Sequence, residues 1–241
     1  MFRKLCILAV LMTTTLTAFS QNLQLHFDSR HALYGNKASQ SSYLTATFEM
    51  FKPDKWGHTF MFADVDLNFN KMNPGLAYTE IARAFKIKDF PVMPHIEYNG
   101  GLGLIKGTGA GFSIPGAYLA GAQYPFQLGQ FNMSTYVAYK LNAFSELSHD
   151  AQWTVTWNAT LVNGKLSLGG FLDLWTEDKQ FTKGPEAKGK NIVLLSEPQI
   201  WYNITDNFSI GSEIELSYNF VNKFTENKFY AIPTLATKWN F

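Results

Sequence analysis

The chain has 241 residues, of which 46% are hydrophobic, 16% aromatic and only 16% charged. Its formal net charge of +1 offers no electrostatic basis for binding nucleic acid, because recognition of phosphates depends on an excess of basic residues. The single cysteine excludes a disulfide within the chain. After the first segment, no apolar run reaches the roughly 18 residues of a membrane-spanning helix. The composition leaves two classes open: a secreted β-sandwich and a transmembrane β-barrel.

Residues 1–20 are predicted to form a signal peptide. The basic residues Arg3 and Lys4 precede an apolar stretch, and the small residues Ala18 and Ser20 stand at the spacing that a signal peptidase requires. A first transmembrane helix is the alternative, but the apolar run is too short and is interrupted by threonines. We therefore expect cleavage after Ser20 and export of the rest of the chain.

Residues 21–241 are predicted to form one domain built from strands that alternate apolar and polar residues. These strands are longer than the roughly five or six residues usual in globular sheets, and most are long enough for a tilted crossing of a bilayer. The predicted strands are 23–32, 42–52, 57–68, 76–87, 92–100, 116–127, 131–142, 150–162, 165–176, 191–203, 208–220 and 229–241. Their number is even, as is usual in bacterial outer-membrane barrels.

The connections between these strands alternate strictly between tight and wide. The tight ones are rich in Gly, Pro, Asn or Asp and comprise 52–56, 86–91, 128–130, 162–165 and 204–207. The wide ones are 33–41, 70–75, 100–115, 143–150, 177–190 and 221–228. Outer-membrane barrels sort short periplasmic turns from longer extracellular loops, whereas a β-sandwich has no reason to do so. We therefore predict an all-β fold, a transmembrane antiparallel up-and-down β-barrel of about 12 strands.

The last predicted strand ends on aromatic residues. In 229–241 an apolar stripe at alternate positions includes Trp239 and Phe241. A terminal aromatic residue resembles the signature by which bacterial outer-membrane barrels are recognised for assembly, which implies the barrel-assembly machinery and outer-membrane lipid as partners. Both rings are also expected in the aromatic girdle at the periplasmic interface. The predicted location is the bacterial outer membrane.

Three segments resemble the Tsx-like family of nucleoside-specific channel-forming outer-membrane porins. "SYLTATFEMFKPDKWGHTFMFAD" (42–64) is similar to the second hairpin of that family, with its Tyr-Leu start, its Lys/Asp-Trp turn and its Ala-Asp close. "TEIARAFKIKDF" (79–90) is similar to the next strand, and the final "KWNF" is similar to the family's ending. The resemblance covers about 50 residues plus the terminus. It implies a twelve-stranded barrel and passive uptake of nucleosides and deoxynucleosides through a narrow lumen with weak aromatic and polar sites.

The strand 57–68 carries the main candidates for solute binding. Phe60, Phe62, Asp64 and Asp66 alternate with an apolar set that is predicted to contact lipid, so they are expected to line the lumen. The two phenylalanines could stack on a base, and the two carboxylates could accept hydrogen bonds from sugar hydroxyls. The alternative is that these carboxylates only pair with basic residues on neighbouring strands and maintain the pore shape.

Four further residues are lumen candidates. His95 and Glu97 share one face of their strand, while Glu80 and Arg83 follow from the resemblance. Because Glu80 and Arg83 are three residues apart, both face inward only if the strand contains a bulge. Otherwise Arg83 snorkels to the interface near the turn. The rest of the interior is predicted to contain Tyr136, Lys140, Asp173, Trp175, Glu197, Gln199, Glu213 and Glu215.

Other chemistries find little support in the sequence. The histidines are scattered singly, and no nucleophile and base form a recognisable pair. His26 with Asp28, and His95 with Glu97, lack a third metal ligand. The glycine-rich stretch 100–111 lacks the ending of a phosphate-binding loop. We expect no enzyme activity, no cofactor and no metal. The alternative to a channel is a plugged barrel with a structural, surface or adhesive role, and a lipid-modifying barrel enzyme is less favoured.

Overall fold

The computed structural model describes residues 20–37, 43–68, 73–105, 108–143, 147–180, 184–220 and 228–241. The predicted signal peptide, apart from Ser20, and most of the predicted loop 221–228 lie outside these ranges. Within them, no helix has the length and apolar character required to cross a membrane.

Most of the described residues belong to strands of one antiparallel sheet. The strands are β1 Ser20–Asp28, β2 Tyr43–Asp54, β3 Gly57–Asn68, β4 Pro74–Phe85, β5 Met93–Leu104, β6 Gly111–Leu128, β7 Phe131–Asn142, β8 Ser148–Leu161, β9 Leu166–Asp178, β10 Lys190–Ser196, β11 Gln199–Asn203, β12 Phe208–Tyr218 and β13 Phe229–Asn240. Consecutive strands pair along the chain, and β1 pairs with β13, which closes the sheet into a barrel. β10 and β11 both pair with β9 and β12 and occupy one position in the wall. The predicted 12-strand antiparallel barrel is confirmed.

The interruption between β10 and β11 lies at Glu197 and Pro198. Proline has no backbone N–H and therefore cannot complete the ladder. Its carbonyl still accepts a hydrogen bond from the Ile214 amide (3.0 Å), and the Glu197 amide donates to the Phe171 carbonyl (3.1 Å). Opposite this point Gly170 has φ +145°, and a Cβ there would lie 2.6 Å from the Glu197 carbonyl oxygen. Only glycine allows the two backbones to approach so closely at this conformation.

The first predicted strand, 23–32, ends earlier than expected. After Asp28 the chain turns into the short helix α1, Arg30–Tyr34, and a 3₁₀ turn over Gly35–Lys37. The Asp28 carboxylate accepts a hydrogen bond from the Arg30 amide (2.8 Å), which favours a turn over continued pairing. The Tyr34 hydroxyl then donates to the Ala231 carbonyl (3.1 Å) and accepts from the Ala231 amide (3.2 Å). Tyr34 thus supplies hydrogen bonds to the backbone of β13 where β1 no longer pairs with it.

The predicted wide loop 100–115 is wrong in extent, because most of it is strand. β5 continues to Leu104 and β6 begins at Gly111, and these two residues pair. The hairpin carries glycines where neighbouring groups come too close for a side chain. A Cβ on Gly103 would lie 2.2 Å from the Phe112 ring. The glycine richness that suggested a loop is therefore used for tight packing within the hairpin.

The two faces of the wall differ as the alternation predicted. On β1, Gln24 and His26 are 1% and 3% exposed and lie on the lumen face, whereas Leu23 and Leu25 are 46% and 41% exposed on the outer face. On β13, Ile232 is fully buried inside and Leu235 is 74% exposed outside. A barrel whose outer face is apolar and whose interior is polar is the arrangement expected for a bilayer outside and a wet lumen inside.

Candidate functional site

The candidate carboxylates of β3 lie on the lumen face. Asp64 pairs with Thr47 of β2, and Asp66 pairs with Thr45. The Thr47 hydroxyl donates to Asp64 Oδ1 (2.5 Å), and the Thr45 hydroxyl donates to Asp66 Oδ1 (2.7 Å). The hydrogen-bond partners described for both carboxylates are thus threonines and not basic residues, contrary to the pairing that the sequence left open as an alternative. Each carboxylate keeps acceptor capacity for a second donor.

Phe60 and Phe62 share this face and extend into an aromatic ladder with Tyr78 of β4. The ring centroids of Phe60 and Phe62 are 6.1 Å apart, and those of Phe62 and Tyr78 are 5.9 Å apart. The Tyr78 hydroxyl donates to Glu80 Oε1 (2.7 Å), which places Glu80 on the lumen face beside the ladder. Sequence reasoning missed Tyr78, although it stands two residues before Glu80 and therefore on the same face of the strand.

Arg83 does not line the lumen, and this candidate was wrong. It pairs with Thr59 on the outer face, at the end of the barrel that carries the tight turns and the chain's C-terminus, here called the turn end. Its guanidinium donates two hydrogen bonds to the Asp54 carboxylate (2.7 and 2.8 Å) and lies 5.5 Å from the Phe85 ring centroid. No bulge separates Arg83 from Glu80, so their odd spacing puts them on opposite faces.

His95 and Glu97 lie on the lumen face, where they are held in a dense polar network. His95 Nε2 is 3.0 Å from Glu97 Oε2, and the Tyr136 hydroxyl donates to the same carboxylate oxygen (2.9 Å). The His95 ring stacks on the Tyr136 ring with 4.1 Å between centroids, and its Nδ1 is 3.2 Å from Gln123 Oε1. Both residues are almost fully buried. The polar groups of His95 and Glu97 therefore hydrogen-bond to other residues of the barrel wall.

The network continues across β7, β8 and β9. Lys140 Nζ donates to Gln152 Oε1 (3.0 Å), and its ammonium lies 4.8 Å from the Trp175 ring centroid. The Thr154 hydroxyl donates to Asp173 Oδ1 (2.5 Å). This side of the lumen is therefore lined by polar groups that largely satisfy one another.

The opposite side, from β10 to β3, is rich in carboxylates. Gln199 donates to Glu213 Oε2 (2.6 Å), and Gln24 donates to Glu49 Oε2 (2.9 Å). The amide partners at Glu213 and Glu49 bind these carboxylates without neutralising them.

Helix α1 closes part of this side at the other end of the barrel, here called the loop end. Arg30 donates to Asp28 Oδ2 (2.9 Å) and to Glu215 Oε2 (2.8 Å), and its guanidinium lies 5.3 Å from the Tyr43 ring centroid. The side chains of Arg30, Asp28 and Glu215 are 18%, 7% and 9% exposed. Tyr34 of the same helix packs edge-on against Tyr230, with 4.9 Å between the ring centroids.

A polar cavity of about 620 Å³ lies at the turn end. In its wall, Lys238 lies 4.2 Å from the centroid of the buried Trp201 ring, which His26 contacts edge-on. The cavity is lined by Ser20, Thr160, Asn163, Gly164, Lys165, Ser167, Asn203, Ile204, Thr205, Asp206, Lys238 and Asn240. Hydroxyl, amide and charged groups of this kind contact hydrated solutes rather than lipid.

The two residues of the predicted assembly signal lie on the outer face at the turn end. Trp239 is 49% exposed and packs 6.3 Å from the Phe208 ring, and Phe241 is 67% exposed. The Phe241 amide donates to the Gln21 carbonyl (3.1 Å), which ties the C-terminus to β1. The described residues contain no group of three or more His, Cys, Asp or Glu that could hold a metal ion.

A family model with the description "Domain of unknown function (DUF5020)" matches residues 20–241. No curated protein matches the chain. Among solved structures, the NanC porin is 9% identical with a TM-score of 0.55, over 92% of this chain and 100% of the porin. The translocator domain of the autotransporter NalP from Neisseria meningitidis is 9% identical with a TM-score of 0.45, over 99% and 94%. LpxR from Salmonella typhimurium is 8% identical with a TM-score of 0.41, over 92% and 100%. At this identity, the likeness to the porin shows the outer-membrane barrel fold alone.

Proposed function

The chain belongs to the DUF5020 family, whose description states no activity, and we propose from its lumen that it is a passive channel for small polar solutes in the bacterial outer membrane. The observation that carries this proposal is the contrast between its two faces. The interior presents carboxylates, amides and hydroxyls from strands on both sides of the barrel, while large apolar side chains cover the outer face. A polar interior of this kind is typical of barrels that conduct water and solutes.

Nucleosides are the solute class that we propose for this channel. The resemblance to the Tsx-like porins suggests them, and the aromatic ladder of Phe60, Phe62 and Tyr78 supports them, because every base has a face that stacks on an aromatic ring. Asp64 and Glu80 stand beside the ladder as acceptors for sugar hydroxyls. Individual contacts in a wet pore are weak, and transport requires that a solute leave as readily as it enters.

Conductance of the purified full-length barrel in planar bilayers tests the proposal. A channel gives stepwise ionic current, and a nucleoside that binds in the lumen reduces this current at concentrations where a sugar of similar size does not. If current appears but both solutes act alike, the nucleoside class is wrong and the channel stands. The absence of current from a folded, membrane-inserted barrel would favour the plugged barrel with a structural, surface or adhesive role.

A further inference from the structure

Charges on the lumen face are strongly unequal. The carboxylates that the strand register places inside are Asp28, Glu49, Asp64, Asp66, Glu80, Glu97, Asp150, Asp173, Glu177, Glu213 and Glu215. Glu197 stands between β10 and β11, in alternation with the lumen-facing Leu195 and Gln199. The lysines and arginines that reach the same space in the described part of the chain are Arg30, Lys140, Lys165, Lys190, Lys228 and Lys238. The net charge of +1 for the whole chain conceals this imbalance, because many lysines lie in turns and loops.

The lumen cations are concentrated near the two ends and on one wall. Arg30 at the loop end pairs with Asp28 and Glu215, and Lys190 at the same end pairs with Asp150 (2.8 Å). Lys140 belongs to the network of β7 to β9, and Lys238 lies over Trp201 near the turn end. The middle of the opposite wall has no such cation among its described hydrogen-bond and ion-pair partners.

Three carboxylates lie on the lumen face in this middle region. They are Asp64 on β3, Glu213 on β12 and Glu197, which stands between the lumen-facing residues Leu195 and Gln199. Their described hydrogen bonds come from Thr47 to Asp64 and from Gln199 to Glu213, both neutral donors. Carboxylates that line one passage without neighbouring cations attract mobile cations and repel anions. Rings of Asp and Glu give cation channels their selectivity in the same way.

The aromatic rings of the lumen also favour the binding of cations. The chain's own cations show what surroundings this wall offers to a positive charge. Arg30 sits against the Tyr43 ring and two carboxylates, and Lys140 sits over the Trp175 ring while it donates to Gln152. The aromatic ladder beside Asp64 and Glu80 combines rings and carboxylates in a similar way. An aromatic face attracts a cation by about 0.5–1 kcal/mol even at exposed sites.

We propose that the lumen selects by charge, so that cations and solutes carrying a protonated amine pass in preference to anions of the same size. The inference rests on the proposed channel function and adds a charge preference to it. Asp64, Glu197 and Glu213 set the preference at the middle of the passage. The aromatic ladder prolongs the contact of an organic cation with the wall.

The reversal potential of the full-length channel in a gradient of KCl tests the proposal. The expected sign is that of a pore more permeable to K⁺ than to Cl⁻. Liposome swelling with three sugars of similar size supplies the second measurement, and the expected order of rates is glucosamine, then glucose, then glucuronate. A reversal potential of zero, or the opposite sign, overturns the charge preference while the channel stands. Absence of any current or swelling overturns the channel and the inference with it.

A lumen variant and a surface control test whether the charge preference comes from the middle of the passage. Asp64→Asn combined with Glu213→Gln is expected to lower the ratio of cation to anion permeability by about two- to fivefold, because two charges leave the passage. Asp89→Asn is the matched control. Asp89 lies in a turn with an 85% exposed side chain and φ +59°, a conformation that asparagine also adopts. An equal loss of preference in the control, or none in the double variant despite normal folding, contradicts the assignment.

Discussion

Asp64 accepts its hydrogen bond from Thr47 across the β2–β3 pair, and no lysine or arginine is a described partner of its carboxylate. Thr47 can satisfy one lone pair only, so Asp64 can still accept a hydrogen bond from a solute hydroxyl or amine. Phe62 is two residues away on the same face, and its ring is therefore available beside this acceptor. Phe62 and Asp64 together provide one stacking surface and one hydrogen-bond acceptor on a single strand.

We predict that Phe62→Ala and Asp64→Ala each weaken the block of ion current by a nucleoside. Base–aromatic stacking contributes roughly 1–3 kcal/mol per base in binding proteins, and a wet pore is expected at the low end, so the blocking concentration for Phe62→Ala should rise by about fivefold. Asp64→Ala should raise it because an acceptor for a solute hydroxyl is lost. Current recordings with increasing nucleoside concentration measure the change.

Met61→Ala is the matched control for this pair of variants. Met61 lies between Phe60 and Phe62 in the sequence, but its side chain is on the outer face, opposite Ile81 of β4. Its removal should leave nucleoside block unchanged. If Met61→Ala weakens the block as much as Phe62→Ala does, the effect comes from disturbance of β3 and not from contact with the solute.

Arg83→Ala should leave nucleoside block and charge preference unaltered, because the residue faces outward at the turn end. Its partner Asp54 is exposed, so the ion pair is screened and its loss should change stability only slightly. Titration of nucleoside block on this variant checks the facing of Arg83. A clear change in nucleoside block would show that the Arg83 side chain faces the lumen after all.

How far the sequence predicted this structure depends on whether a side chain's role is decided within its own strand. Strand β3 begins and ends at the predicted residues, 57 and 68. The alternation of polar and apolar residues along it correctly predicted that Phe60 and Asp64 face the lumen. The facing of Arg83 stayed open, because a bulge would have reversed it and bulges depend on the partner strand.

Contacts between strands distant in sequence could not be predicted. The stacking of His95 on Tyr136 joins β5 to β7, and Arg30 meets Glu215 only because α1 curls over the edge of β13. Neither partner carries a local signal for the other. The charge imbalance of the lumen was hidden for the same reason, because it depends on which face each carboxylate occupies once the sheet closes.

The orientation of the barrel gives a prediction about surface labelling. Asn163 in the β8–β9 turn and Asn240 near the C-terminus line the same cavity at the turn end, which we expect to face the periplasm. Glu186 lies at the loop end, in the connection after β9. A thiol reagent applied to intact cells should label Glu186→Cys and not Asn163→Cys. Labelling of Asn163→Cys from outside, with both variants folded, would reverse the topology.

Phe241→Ala is expected to reduce the amount of folded barrel in the outer membrane while export continues. Phe241 is exposed on the outer face and ends the stripe that resembles the assembly signature. Phe229→Ala, which removes a 54% exposed ring at the other end of β13, is the control. The heat-modifiable, folded form on gels measures assembly. Equal losses in both variants would assign the defect to a general loss of outer aromatic surface.

Arg30→Met should destabilise the loop end of the barrel, because it leaves the carboxylates of Asp28 and Glu215 without their shared cation. Both carboxylates are largely buried, and removing one partner of a buried ion pair costs about 3–5 kcal/mol in a dry interior, with water in the lumen reducing the loss. The midpoint of thermal unfolding in detergent is therefore expected to fall. The double variant Arg30→Met with Glu215→Gln removes one of the two stranded charges and should recover part of the stability. If the double variant is as unstable as the single one, the guanidinium acts through its packing against Tyr43 and not through charge.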